Sequence, residues 1–259
     1  KVTADWKPTD DQMYYLTISE GFRPGLFNRP GGRSNPSGTF TVPFVLDTDD
    51  VTNVELGIKS DYFDGRFRLN AAAFMIDIES LQTTIFDPNI VNLFFSDNAA
   101  DAEVRGIEGD FIWLPGSSEG LTISGAFSIL DTEITKVITP TGDVVKGDDL
   151  AFAPDFQGNL RARYEWEFGS RAWTGHFMPN VTYSGSSFSD IITINRDKIK
   201  SSVMANLTMG VTSETWSAEL YWNNIANKRA EVARNFVFDV QRVTYAQPRT
   251  IGVRLSFDF

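Results

Sequence analysis

The chain ends in Arg249-Thr250-Ile251-Gly252-Val253-Arg254-Leu255-Ser256-Phe257-Asp258-Phe259, the stretch from which its fold can be argued. From Ile251 onward apolar and polar residues alternate strictly, so that every second side chain points to the same side of an extended backbone. This alternation predicts a β-strand with one apolar and one polar face. The strand runs to its final aromatic residue, whereas the ends of soluble domains more often fray into polar residues. The question for the remaining sequence is whether such apolar faces pack on a core or face lipid.

Composition narrows the class of protein. The chain has 259 residues, of which 42% are hydrophobic and 13% aromatic, with 21 phenylalanines. No apolar run approaches the roughly 18 residues that a membrane-spanning helix needs, but a spanning β-strand needs only about 9 to 11 alternating residues. The formal net charge is −11, which disfavours a nucleic-acid partner. The composition therefore allows a β-barrel in a membrane.

Few residues suit metal binding or catalysis. The chain has no cysteine and one histidine, His176, so we predict no metal site and no cofactor. A serine nucleophile would have to use His176, which lies in a predicted strand beside Phe177 and Pro179. Carboxylates are too numerous to single out a catalytic pair. We therefore expect a protein that is not an enzyme.

The alternating segments predict about eleven strands, and the connections between them are short and long in turn. Short turns are predicted near Pro8, Asp64, Gly116, Gly169 and Glu214, and long connections begin near Arg23, Asp87, Lys136, Ser189 and Ile225. The connection from Asp87 is expected to reach Asp97, with a strand from Asn98 to Leu114. Short turns at one end and long loops at the other are typical of an outer-membrane barrel.

Charged residues alternate with apolar ones in several predicted strands. A dry core would not accept so many charges on one strand face without partners. We predict that they face a polar lumen, where they pair with one another or with a domain that fills the barrel; these residues are Glu55, Glu108, Arg161, Arg163, Glu165, Glu219 and Arg254. Four tryptophans are expected on the opposite face as interface anchors near the short turns; they are Trp113, Trp166, Trp216 and Trp222.

Five segments together resemble one family. They are Ser19-Glu20-Gly21-Phe22-Arg23-Pro24-Gly25, Asn53-Val54-Glu55-Leu56-Gly57-Ile58-Lys59-Ser60-Asp61, Ala102-Glu103-Val104-Arg105-Gly106-Ile107-Glu108, Trp222-Asn223-Asn224-Ile225-Ala226-Asn227-Lys228 and the terminal strand. Their order and spacing across nearly the whole chain are similar to the C-terminal half of the barrel of TonB-dependent outer-membrane receptors.

The resemblance implies a fold and a set of partners. It implies a roughly 22-stranded antiparallel transmembrane β-barrel around a plug domain. Residues 1–259 would supply about eleven strands, as the C-terminal part of that barrel, with no plug or TonB-contacting segment recognisable. The family's insertion signal would include Phe257 and Phe259 and would be read by the barrel assembly machinery. The implied location is the bacterial outer membrane, with membrane lipid, the plug domain and the TonB complex as partners.

The long loops carry the candidate ligand contacts, because a ligand arriving from outside meets them first. Arginines combined with an aromatic side chain would suit an anionic metal chelate. The candidate residues are Arg23, Phe27, Asn28, Arg29 and Arg33 in the first long loop and Arg234 and Arg242 in the last. A solvated loop surface is the competing interpretation.

The resulting functional hypothesis is energised import of a scarce nutrient through a TonB-dependent receptor. The nutrient could be a siderophore-like metal chelate, cobalamin or a carbohydrate. A passive porin-type or autonomous channel is the alternative, and it would conduct ions without an energy source. A soluble β-sandwich adhesin is a third possibility, and it would be extracted without detergent.

Overall fold

One large antiparallel sheet dominates the computed structural model, which describes residues 1–30, 32–87, 91–116, 118–139, 142–169, 173–237 and 240–258. Within these ranges the sheet has eleven strands that follow one another in chain order. They are β1 (Val2–Thr9), β2 (Gln12–Arg23), β3 (Asp49–Tyr62), β4 (Phe67–Asp87), β5 (Val91–Trp113), β6 (Leu121–Val137), β7 (Phe156–Phe168), β8 (Trp173–Ser184), β11 (Ser202–Thr212), β12 (Trp216–Asn223) and β15 (Thr250–Phe257). The predicted all-β fold and its strand number are confirmed.

Smaller elements lie in the long connections. They are the paired strands β9 (Ser187–Phe188) and β10 (Lys198–Ile199), the 3₁₀ turn Thr193–Asn195, and the hairpin of β13 (Glu231–Val237) and β14 (Val240–Tyr245). In the large sheet β1 and β15 are each paired on one side only, so the described sheet is open. No helix in the described part of the chain is long and apolar enough to cross a membrane.

The short turns lie where the sequence predicts them. One long connection, predicted from Asp87 to Asp97, is much shorter in the structure. β4 continues to Asp87 and β5 begins at Val91, so the segment that we expected to be an irregular connection is mostly strand. Thr84, Ile85 and Phe86 pair with Ser96, Phe95 and Phe94. Aromatic and β-branched residues favour this pairing. The hairpin is therefore tall, with strands of 21 and 23 residues.

The sheet has one apolar and one polar face. In one row across five strands, Leu16, Leu56, Ala73, Ile107 and Ile129 are register partners on the apolar face. Large apolar side chains on this face stay exposed, and Leu56 keeps 60% of its surface accessible. An apolar surface of this extent marks contact with lipid or another apolar partner.

An aromatic girdle bounds the apolar face at the short-turn end. Its side chains contact one another along the sheet, with ring centroids 5.6 Å apart for Trp6 and Tyr14 and 5.5 Å apart for Trp173 and Trp216. Trp113, Trp166 and Trp216 belong to strand ends near short turns, as predicted. The prediction for Trp222 is wrong, because it lies one residue before the end of β12 that leads into a long connection. Strict alternation fixed its face correctly, but Trp222 lies six residues after Trp216, so the two tryptophans lie at opposite ends of β12.

A charged collar bounds the apolar face toward the long loops. Its members follow the apolar run on β2 to β6 and lie on the same face; they are Glu20, Asp50, Asp77, Glu103, Arg105, Asp131 and Glu133. On β4 the apolar run from Phe67 to Met75 has the length of a membrane-spanning strand. Of these strands, β4 and β5 continue well beyond the collar.

Glycine allows aromatic rings to lie flat on the polar face. The Tyr15 ring covers Gly57, and the Tyr221 ring covers Gly252; a Cβ atom at either glycine would overlap the ring. These contacts couple neighbouring strands by close approach of a ring to the backbone.

A compact apolar cluster forms where the long connections meet. Ile85 and Phe95 of the tall hairpin pack with Ile134, Ile192 and Val42. Ile85, Ile134 and Ile192 have no exposed surface. The loops are thus joined by an apolar core of their own.

Candidate functional site

The polar face holds the charged residues that we predict to line a lumen. Register partners place Arg161 beside Asn180, Glu165 beside His176 and Glu219 beside Arg254. Two ion pairs form: Arg163 donates to Glu165 at 2.7 Å and Arg254 donates to Glu219 at 2.7 Å. Arg161 donates instead to the Ser124 hydroxyl at 3.2 Å.

Glu55 and Glu108 line a second part of the polar face. The Tyr15 hydroxyl donates a 2.7 Å hydrogen bond to Glu55. A concave region of about 450 Å³ is bordered by Tyr15, Lys59, Asn70, Glu108 and Asp110. The carboxylates of Glu55, Glu108 and Asp110 outnumber the Lys59 ammonium group, so this part of the polar face is acidic.

His176 also belongs to the polar face, although its sequence pattern gave no functional signal. It is only 6% exposed, and its Nε2 atom lies 3.5 Å from a Glu219 oxygen. Gly210 is its register partner on β11 and leaves space for the ring. Since Glu219 is also bound by Arg254, these three side chains form one network.

Arg23 and Asn28 hold the first long loop in place. Arg23 Nε donates to Asp49 at 2.8 Å, and its guanidinium also donates to the Gln82 carbonyl at 3.0 Å. Asn28 donates to the carbonyls of Pro43 and Ser96 at 2.7 and 2.8 Å. Whether either residue contacts a ligand stays a prediction, but both have a role within the protein.

Asp49 is the acceptor on which this loop anchor depends. Its side chain is only 3% exposed and accepts hydrogen bonds from Arg23 and from the Gln82 backbone N–H. Burial alone would raise the pKa of Asp49, but these hydrogen bonds outweigh burial and lower it. The carboxylate is therefore ionised at neutral pH.

The other predicted ligand contacts are spread over the loops. Phe27 is 71% exposed and its ring centroid lies 5.6 Å from that of Phe44. Arg29, Arg33 and Arg242 are exposed. Arg234 lies on β13, and Asn235 beside it is the register partner of Arg242.

A pocket between the long connections brings together residues of which the sequence marked only Arg234. This loop pocket has a volume of about 390 Å³, within the range of small-molecule sites. Its walls come from the tall hairpin, the 142–155 segment, the 189–195 segment and β13. It is lined by Thr83, Thr84, Phe86, Phe94, Ala151, Phe152, Ser189, Asp190, Ile191, Asn195, Arg234 and Asn235.

The charged groups of the loop pocket are already engaged. Arg234 donates to Glu231 at 2.7 and 2.9 Å. Asp190 accepts the Ile192 backbone N–H at 3.0 Å. Burial raises the pKa of the Asp190 carboxyl, although this hydrogen bond and the nearby Arg196 oppose the shift.

Of the predicted loop residues, only Arg234 lines this pocket. Phe86, Phe94 and Phe152 were missed because their shared location depends on two separate connections, the tall hairpin and the 142–155 segment, folding together. A phenylalanine within the polar 142–155 segment is the one signal that could have drawn attention to Phe152. Among the described residues no group of three His, Asp or Glu side chains could hold a metal ion.

A family comparison and a curated relative both match this chain to receptors. The family described as "TonB dependent receptor-like, beta-barrel" matches residues 1–225. The metal-pseudopaline receptor CntO of Pseudomonas aeruginosa is 29% identical over 147 residues, which are 56% of this chain and 19% of that protein.

Solved structures share the fold. The ferric yersiniabactin uptake receptor FyuA from Yersinia pestis matches with a TM-score of 0.75 and 17% identity over 99% of this chain and 36% of that one. BauA, the ferric preacinetobactin receptor from Acinetobacter baumannii, gives 0.74 and 21% identity over the same shares, 99% and 36%. The chain thus spans about a third of the length of these receptors.

Proposed function

The chain belongs to the TonB-dependent receptor-like β-barrel family, and from this premise we propose that it contributes eleven strands to a receptor that imports a scarce nutrient with TonB-coupled energy. Members of the family are proteins of the bacterial outer membrane, and this location applies to the chain. Its apolar face therefore faces lipid and its polar face the lumen. The family match over residues 1–225 is the observation that carries the proposal, because a porin would share the two-faced sheet but not this family.

We propose a metal chelate as the nutrient, ahead of cobalamin or a carbohydrate. The similar proteins are named as receptors for metal-pseudopaline, ferric yersiniabactin and ferric preacinetobactin, all of which contain a metal. The long connections of this chain support the proposal, since they enclose the loop pocket at the end of the sheet that lies beyond the charged collar.

The polar face would contact a plug domain. Glu55, Glu108 and Arg161 have no ion-pair partner among the described residues, so a filled lumen would place complementary groups against them. Phe257 is exposed on the apolar face of β15, which suits a role in membrane insertion by the barrel assembly machinery. Phe259 lies outside the described residues. The similar proteins are named as receptors, and we propose no catalytic role.

Uptake measurements test the proposal. Cells that carry the full-length receptor should accumulate a radiolabelled metal chelate, and a protonophore or deletion of TonB should abolish accumulation. The purified receptor should conduct few ions in a planar bilayer. Accumulation that continues without proton-motive force, together with steady ion conductance, would instead establish the passive channel.

A further inference from the structure

The loop pocket contains an aromatic platform. Phe86 and Phe94 face each other across the tall hairpin with ring centroids 4.9 Å apart. Phe86 is buried, at 5% exposed, and its carbonyl accepts a 2.7 Å hydrogen bond from the buried Asn195 side chain. Phe94 rests on this fixed ring and keeps 46% of its surface accessible. A ring that packs on a buried ring thus presents an open surface to the pocket.

Phe152 lines the same pocket from another segment, in an unfavourable backbone conformation. Its φ angle is +56°, which is rare for a bulky residue. Its backbone N–H donates to the Phe188 carbonyl at 2.8 Å, and the neighbouring Ala151 bridges to Phe188. Arg196 lies over the Phe188 ring at 3.8 Å, so this attachment is itself held in place.

The strain at Phe152 is not compensated by burial of the side chain, because 48% of the residue remains exposed. Residues kept in sparsely populated conformations concentrate at ligand-binding positions. Two exposed rings, Phe94 and Phe152, thus line one pocket, an arrangement suited to a planar aromatic partner.

The polar groups around these rings offer little for an anion. Arg234 is bound to Glu231 and lies 3.6 Å from Asp197, while Arg196 lies 3.6 Å from both Asp148 and Asp149. These arginines are therefore matched by carboxylates. The charged side chains that line the pocket, Arg234 and Asp190, therefore leave no excess positive charge to attract an anionic ligand.

We propose that the loop pocket recognises an aromatic ring of the ligand through Phe94 and Phe152, and that the ligand is an aryl-bearing metal chelate rather than one selected by negative charge. This inference rests on the proposed function, and it replaces the expectation that loop arginines select an anionic chelate. Phe94 and Phe152 supply contact area and ring geometry. Asn235 and the threonines of the pocket supply hydrogen-bonding groups at its edge.

Binding to the purified full-length receptor tests the inference with three probes. Ferric catecholate is anionic and carries rings, ferric citrate is anionic without a ring, and ferrichrome is neutral without a ring. We expect ferric catecholate to bind most tightly to the wild-type receptor. Phe94→Leu and Phe152→Ala should each weaken its binding about 2- to 10-fold, the effect of one aromatic contact.

The chain offers a matched control. Phe63 has the same φ angle of +56° and is 68% exposed, but it lies in a short turn at the other end of the sheet. Phe63→Ala should leave binding unchanged. Phe152→Gly relieves the backbone strain while removing the ring, so it should fold well and still bind weakly.

Two results would overturn the inference. The first is that the wild-type receptor does not bind ferric catecholate, or binds it no more tightly than it binds ferric citrate or ferrichrome. The other is Phe94 and Phe152 variants that bind catecholate as Phe63→Ala does. Failure of the proposed function can be told apart from failure of this inference. If the proposed function is wrong, uptake is independent of TonB, whatever the Phe94 and Phe152 variants bind.

Discussion

Replacing Asp49 by asparagine should loosen the first long loop. Asp49 accepts hydrogen bonds from the Arg23 side chain and backbone and from the Gln82 backbone. Asparagine keeps one acceptor oxygen and loses the charge. Hydrogen bonds to charged groups contribute about 1.5 to 3 kcal/mol each, and Arg23 is 55% exposed and recovers hydration. We therefore expect the free energy of opening this loop to fall by about 2 to 3 kcal/mol.

Hydrogen exchange of the full-length receptor in detergent measures this change. The reporters are the backbone amides of Asn28, Val42 and Leu46, which donate to carbonyls across the loop at 2.8 to 3.0 Å. Their protection factors should fall about 30- to 160-fold, because each 1.36 kcal/mol is a factor of ten. The pKa of Asp49 is lower in the folded protein than in the unfolded chain, where it is about 4. The stability that Asp49 gives to the loop is therefore fully present above about pH 4 and is lost as the pH falls through the folded pKa.

A matched carboxylate provides the control. Asp61 pairs with Arg68 at 2.7 Å near a short turn, far along β3 from Asp49. Asp61→Asn should leave the loop amides unchanged. If Asp49→Asn altered their protection less than twofold, the buried acceptor would not be what anchors the loop. Any loss of ligand binding in an Arg23 variant would then have to come from direct contact or from the lost hydrogen bond to the Gln82 carbonyl.

Two further predictions concern the sheet and the loops. Gly57→Val should destabilise the barrel by about 1 to 3 kcal/mol, because the new side chain collides with the Tyr15 ring. Gly21→Val on β2 is the control, because a side chain there has open space. Equal thermal unfolding temperatures for the two variants would contradict this prediction. Burial raises the pKa of Asp190, so the 189–197 segment should lose stability as pH rises from about 4 through the folded pKa. Asp190→Asn should flatten that dependence in hydrogen exchange corrected for intrinsic rates, and an unchanged slope would exclude this carboxyl as its source.

Strand periodicity predicted the sheet because each strand lies between one apolar and one polar environment. Leu16, Leu56 and Leu255 alternate with polar residues, and a register slip of one residue would exchange their environments. Such a local rule can be read without knowledge of the neighbouring strands. The tall hairpin was missed since Phe94 and Phe95 form a short apolar run that alternation does not classify.

The loop contacts could not be read in the same way. Arg23 meets Asp49 and Gln82 only because β2, β3 and β4 are neighbours at their loop ends. The loop pocket combines Phe94 with Phe152, which are distant in sequence and have no periodic relation. Residue type identified Arg23 and Asn28 as polar loop residues but could not separate a role in anchoring the loop from a role in binding.

If the chain acts as proposed, the height of the tall hairpin separates the first encounter with a nutrient from its passage through the membrane. The apolar run on β4 ends at Met75, and Phe86 lies eleven residues further along the strand. At about 3.3 Å per residue and a tilt of about 40°, this distance corresponds to about 28 Å above the lipid. In the proposed function, a nutrient held at Phe94, the register partner of Phe86, would still have to descend that distance. Weakening the aromatic contact should therefore slow uptake when the nutrient is scarce and matter little when it is abundant.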